Sequence, residues 1–346
     1  MTARTTRAAA VVLALAVAAA AGSCSSGSDR SSAGPTSTRT PSTPAADDAT
    51  PTGPSAGCDA SEPAPTGTSD ETIESGGKER SYELVVPDRY DGTEPYALVF
   101  GFHSLTVDYH IVSSMSGFPD VQEDRDVITV MPSGLISTAP YWNAAPVAEN
   151  ADLVFVTDLL DHLEATLCID TAEVFAVGMS NGAQMSSMVA CRLDGRIAGI
   201  APISGVEYNQ PCDTPPTAVI AFHGTADPYV PYEGGGLNSK AIADQNLYQG
   251  DIPPGTPEPS GVDESMARWA RHNGCDDTPT DHEVSATVTK REWSGCEAPT
   301  ILYVVEGGGH QWPGRPQPAF EATFGPGTTD IDATSLMFAL FLDGTT

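Results

Sequence analysis

The residues best placed to do chemistry lie in Gly178-Met179-Ser180-Asn181-Gly182, between the apolar run Val174 to Val177 and a small-residue segment of helical character from Asn181 onward. A serine on so sharp a strand-to-helix corner projects its hydroxyl clear of the sheet. The flanking glycines avoid collisions where strand and helix crowd together. A serine hydroxyl is a weak nucleophile at neutral pH, so the corner is useful only with a base and an acid that orients the base. Asp227 follows the run "TAVIAFHG" and His310 follows "TILYVVEG". Both then sit at the carboxyl ends of strands, where open α/β sheets gather their reactive groups. Taken singly, Asp227 is a turn former and His310 a loop histidine. Together, in the order Ser, Asp, His, they predict nucleophilic acyl transfer with Ser180 as nucleophile, His310 as base and Asp227 as its orienting acid. His223 precedes Asp227 and reads as a structural residue at a strand end.

The elements that must position these groups are legible as short apolar runs separated by helical patterns. "YELVVP", "YALVFGF", "DVITVMP", "EVFAVGM", "IAGIAPIS", "TAVIAFHG" and "TILYVVEG" read as strands. Several are apolar at nearly every position, as expected of strands covered on both faces. Helical segments follow at "DLVFVTDLLDHLEATL", "NGAQMSSMVACRL", "GVDESMARWARHNG" and "DATSLMFALFLDG", the third starting after Ser260 with Asp263 completing an approximate capping box. The alternation predicts an α/β class with a mostly parallel central sheet and helices on both faces. The Gly/Pro-rich stretch Tyr232 to Gly261 interrupts it and is a candidate lid or a passive surface loop.

The ends of the 346-residue chain belong to another role. Arg4 and Arg7 precede the apolar run Ala8 to Ala21, too short to span a bilayer but suited to a signal peptide, residues 1–23. "AGSC" then resembles the lipobox of bacterial lipoproteins, with Ala21 where leucine is usual and Cys24 as the lipidation site. Residues 24–57 are Ser/Thr/Pro/Gly-rich, with no aliphatic side chain larger than alanine, and read as a disordered tether. Residues 58–346, roughly 290 in number, suffice for a single domain. The expected location is extracellular, lipid-anchored to the outer face of the cell membrane or otherwise secreted. Membrane contact is expected only through that anchor.

Six further cysteines suit an oxidising compartment and permit 15 pairings. Local loops favour Cys275–Cys296 and Cys191–Cys212, leaving Cys58–Cys168 to staple the start of the domain to the strand before Ser180. The seven histidines show no metal-ligand spacing, so no metal is implied. A net charge of −30 argues against nucleic acid as a partner.

"GMSNGA", "FHGTADPYVPYEGG" and "GGGHQWPG", with "LCID" leading into the serine's strand, resemble the polyhydroxybutyrate depolymerase and feruloyl esterase family of exported α/β-hydrolases, actinobacterial lipoprotein esterases included. The likeness runs from about Tyr82 to the C-terminus. It implies an α/β-hydrolase fold, a serine esterase without cofactors, and the triad Ser180, Asp227 and His310. It also implies an oxyanion hole made by the backbone N–H of Asn181 and one from the loop after "YALVFGF". That loop departs from the family's His-Gly, with Ser104 in place of glycine and Leu105 as the expected donor. Trp142 in "YWN" and Trp312 are candidate aromatic walls, although tryptophans of this kind are commonly core. The expected substrate is a small or polymer-linked ester with a short or aromatic acyl group. A surface-tethered, catalytically silent binding protein is the alternative.

Overall fold

The computed structural model describes residues 52–345 except 123, 135–139, 146, 148–149, 209–210 and 236–259. The signal peptide, Cys24, most of the tether and most of the Tyr232–Gly261 loop lie outside the described residues. The described fold begins slightly before Cys58. Ser55 accepts from Ile169 N–H and donates to the Leu167 carbonyl through its hydroxyl, and a 3-10 helix, Ala56–Asp59, follows.

A ten-stranded sheet has the order β1-β2-β4-β3-β5-β6-β7-β10-β9-β8. Its strands are β1 Gly67–Ser75, β2 Lys78–Val86, β3 Tyr96–Phe102, β4 Val127–Pro132, β5 Ile169–Met179, β6 Gly199–Ile203, β7 Ala218–Gly224, β8 Thr280–Glu283, β9 Val288–Trp293 and β10 Thr300–Val305. The six from β4 through β10 are parallel, and antiparallel pairs close both edges. This is the α/β-hydrolase fold. β1, β8 and β9 carry exposed or half-exposed polar residues along most of their length. They therefore lack the continuous apolar signature that marks the central strands.

The helices are α1 Tyr109–Ser116, α2 Phe118–Gln122, α3 Ala151–Thr166, α4 Asn181–Arg192, α5 Val262–His272, α6 Glu321–Phe324 and α7 Ala333–Asp343. The central strands are apolar at most positions because alternate residues serve two cores. On β3, Leu98, Phe100 and Phe102 join one core with Phe155 of α3, Met185 of α4 and Trp269 of α5. Ala97 and Val99 join the other with Phe118, Phe338 and Phe341. Helix α5 starts one residue later than the sequence suggests: Gly261 is its N-cap, without a side-chain cap bond. Asp263 instead accepts from the Tyr232 hydroxyl and the Arg291 guanidinium.

Three disulfides, Cys58–Cys168, Cys191–Cys212 and Cys275–Cys296, pin the periphery to this sheet. The first ties the start of the described domain to the approach to β5. The second joins the end of α4 to the segment after β6.

Candidate active site

Ser180 occupies the corner between β5 and α4 at φ 58°, ψ −120°, a conformation that costs a non-glycine residue roughly 1–3 kcal/mol. Surrounding backbone enforces it. A Cβ on Gly178 would lie 2.2 Å from the Gly182 carbonyl oxygen, and one on Gly182 would lie 2.1 Å from that of Phe102. The corner can form only with glycine at both places. Ser180 N–H donates to the Ile203 carbonyl, which fixes the turn against β6.

Asp227 and His310 come together because two glycine-lined loops touch. A Cβ on Gly224 would meet the Gly308 carbonyl at 2.2 Å, and Ala226 N–H donates to that same carbonyl. His310 Nδ1–H then donates to Asp227 Oδ2 at 2.7 Å, while Asp227 Oδ1 accepts from the N–H groups of Tyr229 and Val230 at 2.9 Å each. Burial would raise the Asp227 pKa, but the charge of His310 and these hydrogen bonds outweigh it and leave the pKa below its ordinary value. The carboxylate is thus held ionised to fix the tautomer and tilt of His310. Tyr229 packs edge-on to His310, its hydroxyl donating to the Thr323 carbonyl.

His223 is fully buried, with Nε2–H donating to the Val230 carbonyl. Burial lowers its pKa and keeps it neutral. It supports the loop that carries Asp227.

Ser180 and His310 open into one cavity of about 340 Å³. Leu105 and Asn181 line it as well. The Asn181 N–H stands at the first turn of α4, where helix N–H groups have no intrahelical acceptor. Among the described residues neither that N–H nor that of Leu105 donates to a protein acceptor. Ser104, the departure from the expected glycine, donates its hydroxyl to the Met179 carbonyl at 3.1 Å, tethering the Leu105 loop to the residue before Ser180.

Trp142 does not form a cavity wall. It is wholly buried, edge-on to Phe102, with Nε1–H donating to the His103 carbonyl at 3.1 Å. Its backbone N–H donates to Asn181 Oδ1 at 2.7 Å, and Asn181 Nδ2 donates back to its carbonyl at 3.0 Å. The large ring is more favourably packed in the core than exposed, and its polar groups then hold the His103 loop and the start of α4 beside the cavity. Its neighbour Tyr141 lines the cavity instead. Trp312 does reach the cavity, though only 2% exposed, and its Nε1–H donates to Thr334.

Ile111, Met115, Phe320 and Phe324 complete most of the apolar wall and were not singled out by the sequence reading. Ile111 and Met115 are an i,i+4 pair, which places them on one face of α1. Only the packing of α1 shows that this face looks toward Ser180. Ile111 and Phe320 are 47% and 50% exposed, an apolar mouth of the kind that marks binding sites.

His103 is a second buried histidine beside the site. Its Nδ1–H donates to the Ser104 carbonyl at 2.8 Å and its Nε2 accepts from Gly134 N–H at 2.9 Å, an arrangement that only the neutral ring satisfies. Burial pushes its pKa down to about 4. The unfolded chain therefore binds a proton at this position between about pH 6.5 and pH 4 while the folded chain does not. Stability from this group is complete above pH 6.5, falls as the pH drops through that window, and levels off below it, a loss of about 3 kcal/mol. Urea unfolding of wild type and His103→Asn across pH 4–7 is expected to show a steeper acid decline in the wild type. Parallel curves would show that His103 is not the group responsible.

Fold and site geometry together match the α/β-hydrolase fold. The chain is 28% identical over 271 residues to feruloyl esterase D of Neurospora crassa, covering 73% of this chain and 81% of that protein. It is 27% identical over 241 residues to feruloyl esterase C of Emericella nidulans, covering 67% and 76%. Among solved structures, an acetyl xylan esterase from Aspergillus awamori superposes with a TM-score of 0.52 at 15% identity, covering 70% of this chain and 94% of that one, a likeness of fold. No family model matches the chain. The chain is homologous to these feruloyl esterases, and the homology supports a general ester-hydrolase activity.

Proposed function

We propose that this chain is an exported serine carboxylic ester hydrolase for short-chain or aromatic esters. The observation that carries the reading is the buried Asp227–His310 pair opening, with the strained corner serine Ser180, into a single apolar cavity. Ser180 Oγ attacks the ester carbonyl carbon as His310 Nε2 takes its proton. The carbonyl oxygen becomes an oxyanion received by the N–H groups of Leu105 and Asn181. Collapse expels the alcohol, protonated by His310, and leaves an acyl-serine. Water, deprotonated by His310, attacks that acyl group and restores the hydroxyl. Asp227 stabilises the imidazolium in both halves. The two unspent N–H groups favour this reading over a silent binding protein, whose altered loop would be expected to close the hole.

The substrate class follows from the wall. Tyr141, Ile111, Met115 and Phe324 offer an apolar and aromatic lining, and the cavity lies at the small end of ligand pockets. The feruloyl esterases among the relatives support an aromatic acyl group. p-Nitrophenyl acetate or butyrate, or methyl ferulate, is expected to be cleaved at least about tenfold faster than p-nitrophenyl palmitate, because a long chain cannot bury its length here. Palmitate as the best substrate would refute the assignment of the pocket. Export and acylation of Cys24 are proposed from the leader sequence, and the mass of the mature N-terminus tests them.

A further inference from the structure

Asp70 on β1 and Glu83 on β2 stand directly opposite each other in the antiparallel ladder. Like charges so placed destabilise a strand pair unless something positive lies between them. Glu83 is 8% exposed, and its Oε1 is buried without a hydrogen-bond partner. Into the same space α1 sends His110, whose Nε2 lies 2.7 Å from Asp70 Oδ1. One donor atom from each of Asp70, Glu83 and His110 falls within 4.8 Å of the others. Across the ring, His110 Nδ1 is 2.5 Å from Asp108 Oδ1. A protonated His110 brings one positive charge to three carboxylates and leaves the buried Glu83 Oε1 unpaired.

We propose that Asp70, Glu83 and His110 bind one divalent first-row cation, Zn²⁺ or Mn²⁺, through His110 Nε2 and an oxygen of each carboxylate. One imidazole with two carboxylates suits these ions better than Ca²⁺, which takes six to eight oxygen ligands. Bonds of about 2.0–2.2 Å require donors roughly 3–4 Å apart, so the present cluster needs adjustments of about an ångström or less. Asp108 stands where a metal-bound histidine finds its carboxylate partner, accepting Nδ1–H and fixing the ring. Asp108 is also the N-cap of α1, accepting from His110 N–H. The ion would clamp α1, with Ile111 and Met115 of the cavity wall, onto the β1–β2 hairpin. This site does not depend on the esterase reading.

The sequence spacing implied no metal, because the three donors come from three separate elements. The test is Zn²⁺ titration of the EDTA-stripped mature protein, followed by calorimetry and thermal unfolding. One equivalent is expected to bind saturably and raise the unfolding midpoint by about 5 °C at saturating ion. Ca²⁺ should raise it far less. His110→Ala and Asp70→Asn, whose side chains are 43% and 66% exposed, should fold normally and lose the zinc response. Asp108→Asn, still a good N-cap, should weaken zinc binding about 10–100-fold. Glu83→Gln should raise the metal-free midpoint by relieving the opposed charges, yet abolish the response to zinc. No saturable binding, or a zinc shift that survives His110→Ala and Asp70→Asn, would overturn the site. A stabilised Glu83→Gln beside a wild type that ignores zinc would identify the cluster as an ion pair alone.

Discussion

Replacing Ser180 with alanine is expected to lower kcat for p-nitrophenyl acetate by about 10⁴–10⁶-fold while leaving KM and the unfolding midpoint nearly unchanged. The magnitude follows from the role proposed for the hydroxyl: without it no acyl-enzyme can form, and only the proposed oxyanion donors and binding remain. Asp227→Asn should cost about 10⁴-fold, because His310 Nδ1–H would no longer face an ionised acceptor and the ring would lose its tautomer and its charge compensation. The double variant should be little worse than Ser180→Ala, since the residues act as one unit. Wild-type turnover by Ser180→Ala would refute the nucleophile. A wild type with no turnover above a denatured control would instead favour the silent binding protein.

The second large effect is expected at Trp142. Trp142→Ala should destabilise the protein by about 3–5 kcal/mol, because a fully buried ring is lost from the core beside Phe102. It should also lower kcat more than it raises KM. Trp142 holds the His103 carbonyl through its indole N–H, and its backbone is bonded in both directions to the Asn181 side chain. Its loss therefore loosens the Leu105 loop and the start of α4, which carry the proposed oxyanion donors. Tyr141→Ala provides the contrast: it removes a cavity wall and should mainly raise KM. Urea unfolding with steady-state kinetics on both variants decides. A Trp142→Ala protein of unchanged stability, with only KM raised, would return Trp142 to the substrate wall.

Much of this architecture was legible in the chain because its signals are local. The central parallel strands announce themselves through nearly unbroken apolar runs, since burial on both faces leaves few polar positions. The outer strands β1, β8 and β9 are not legible there, because their mostly polar and charged residues do not read as core. The Ser180 corner was visible for the same local reason: two glycines at fixed offsets mark where backbone passes within contact distance of backbone. The Tyr141–Trp142 pair shows the limit. Two adjacent aromatics face opposite ways, and nothing in the sequence says which one enters the core.

By itself the sequence determined the order of elements, the sharp corner at Ser180, the chain order of Ser180, Asp227 and His310, and the cysteines available to staple the fold. Each follows from sterics or periodicity within a few residues. The tertiary structure alone decided that Asp227 meets His310 at 2.7 Å, that Tyr141 rather than Trp142 lines the cavity, and that α1 supplies part of its wall. It also gathered Asp70, Glu83 and His110 into one cluster from positions with no sequence spacing in common. Those outcomes depend on strand order and register, which bring distant segments together through packing that no short stretch of chain encodes.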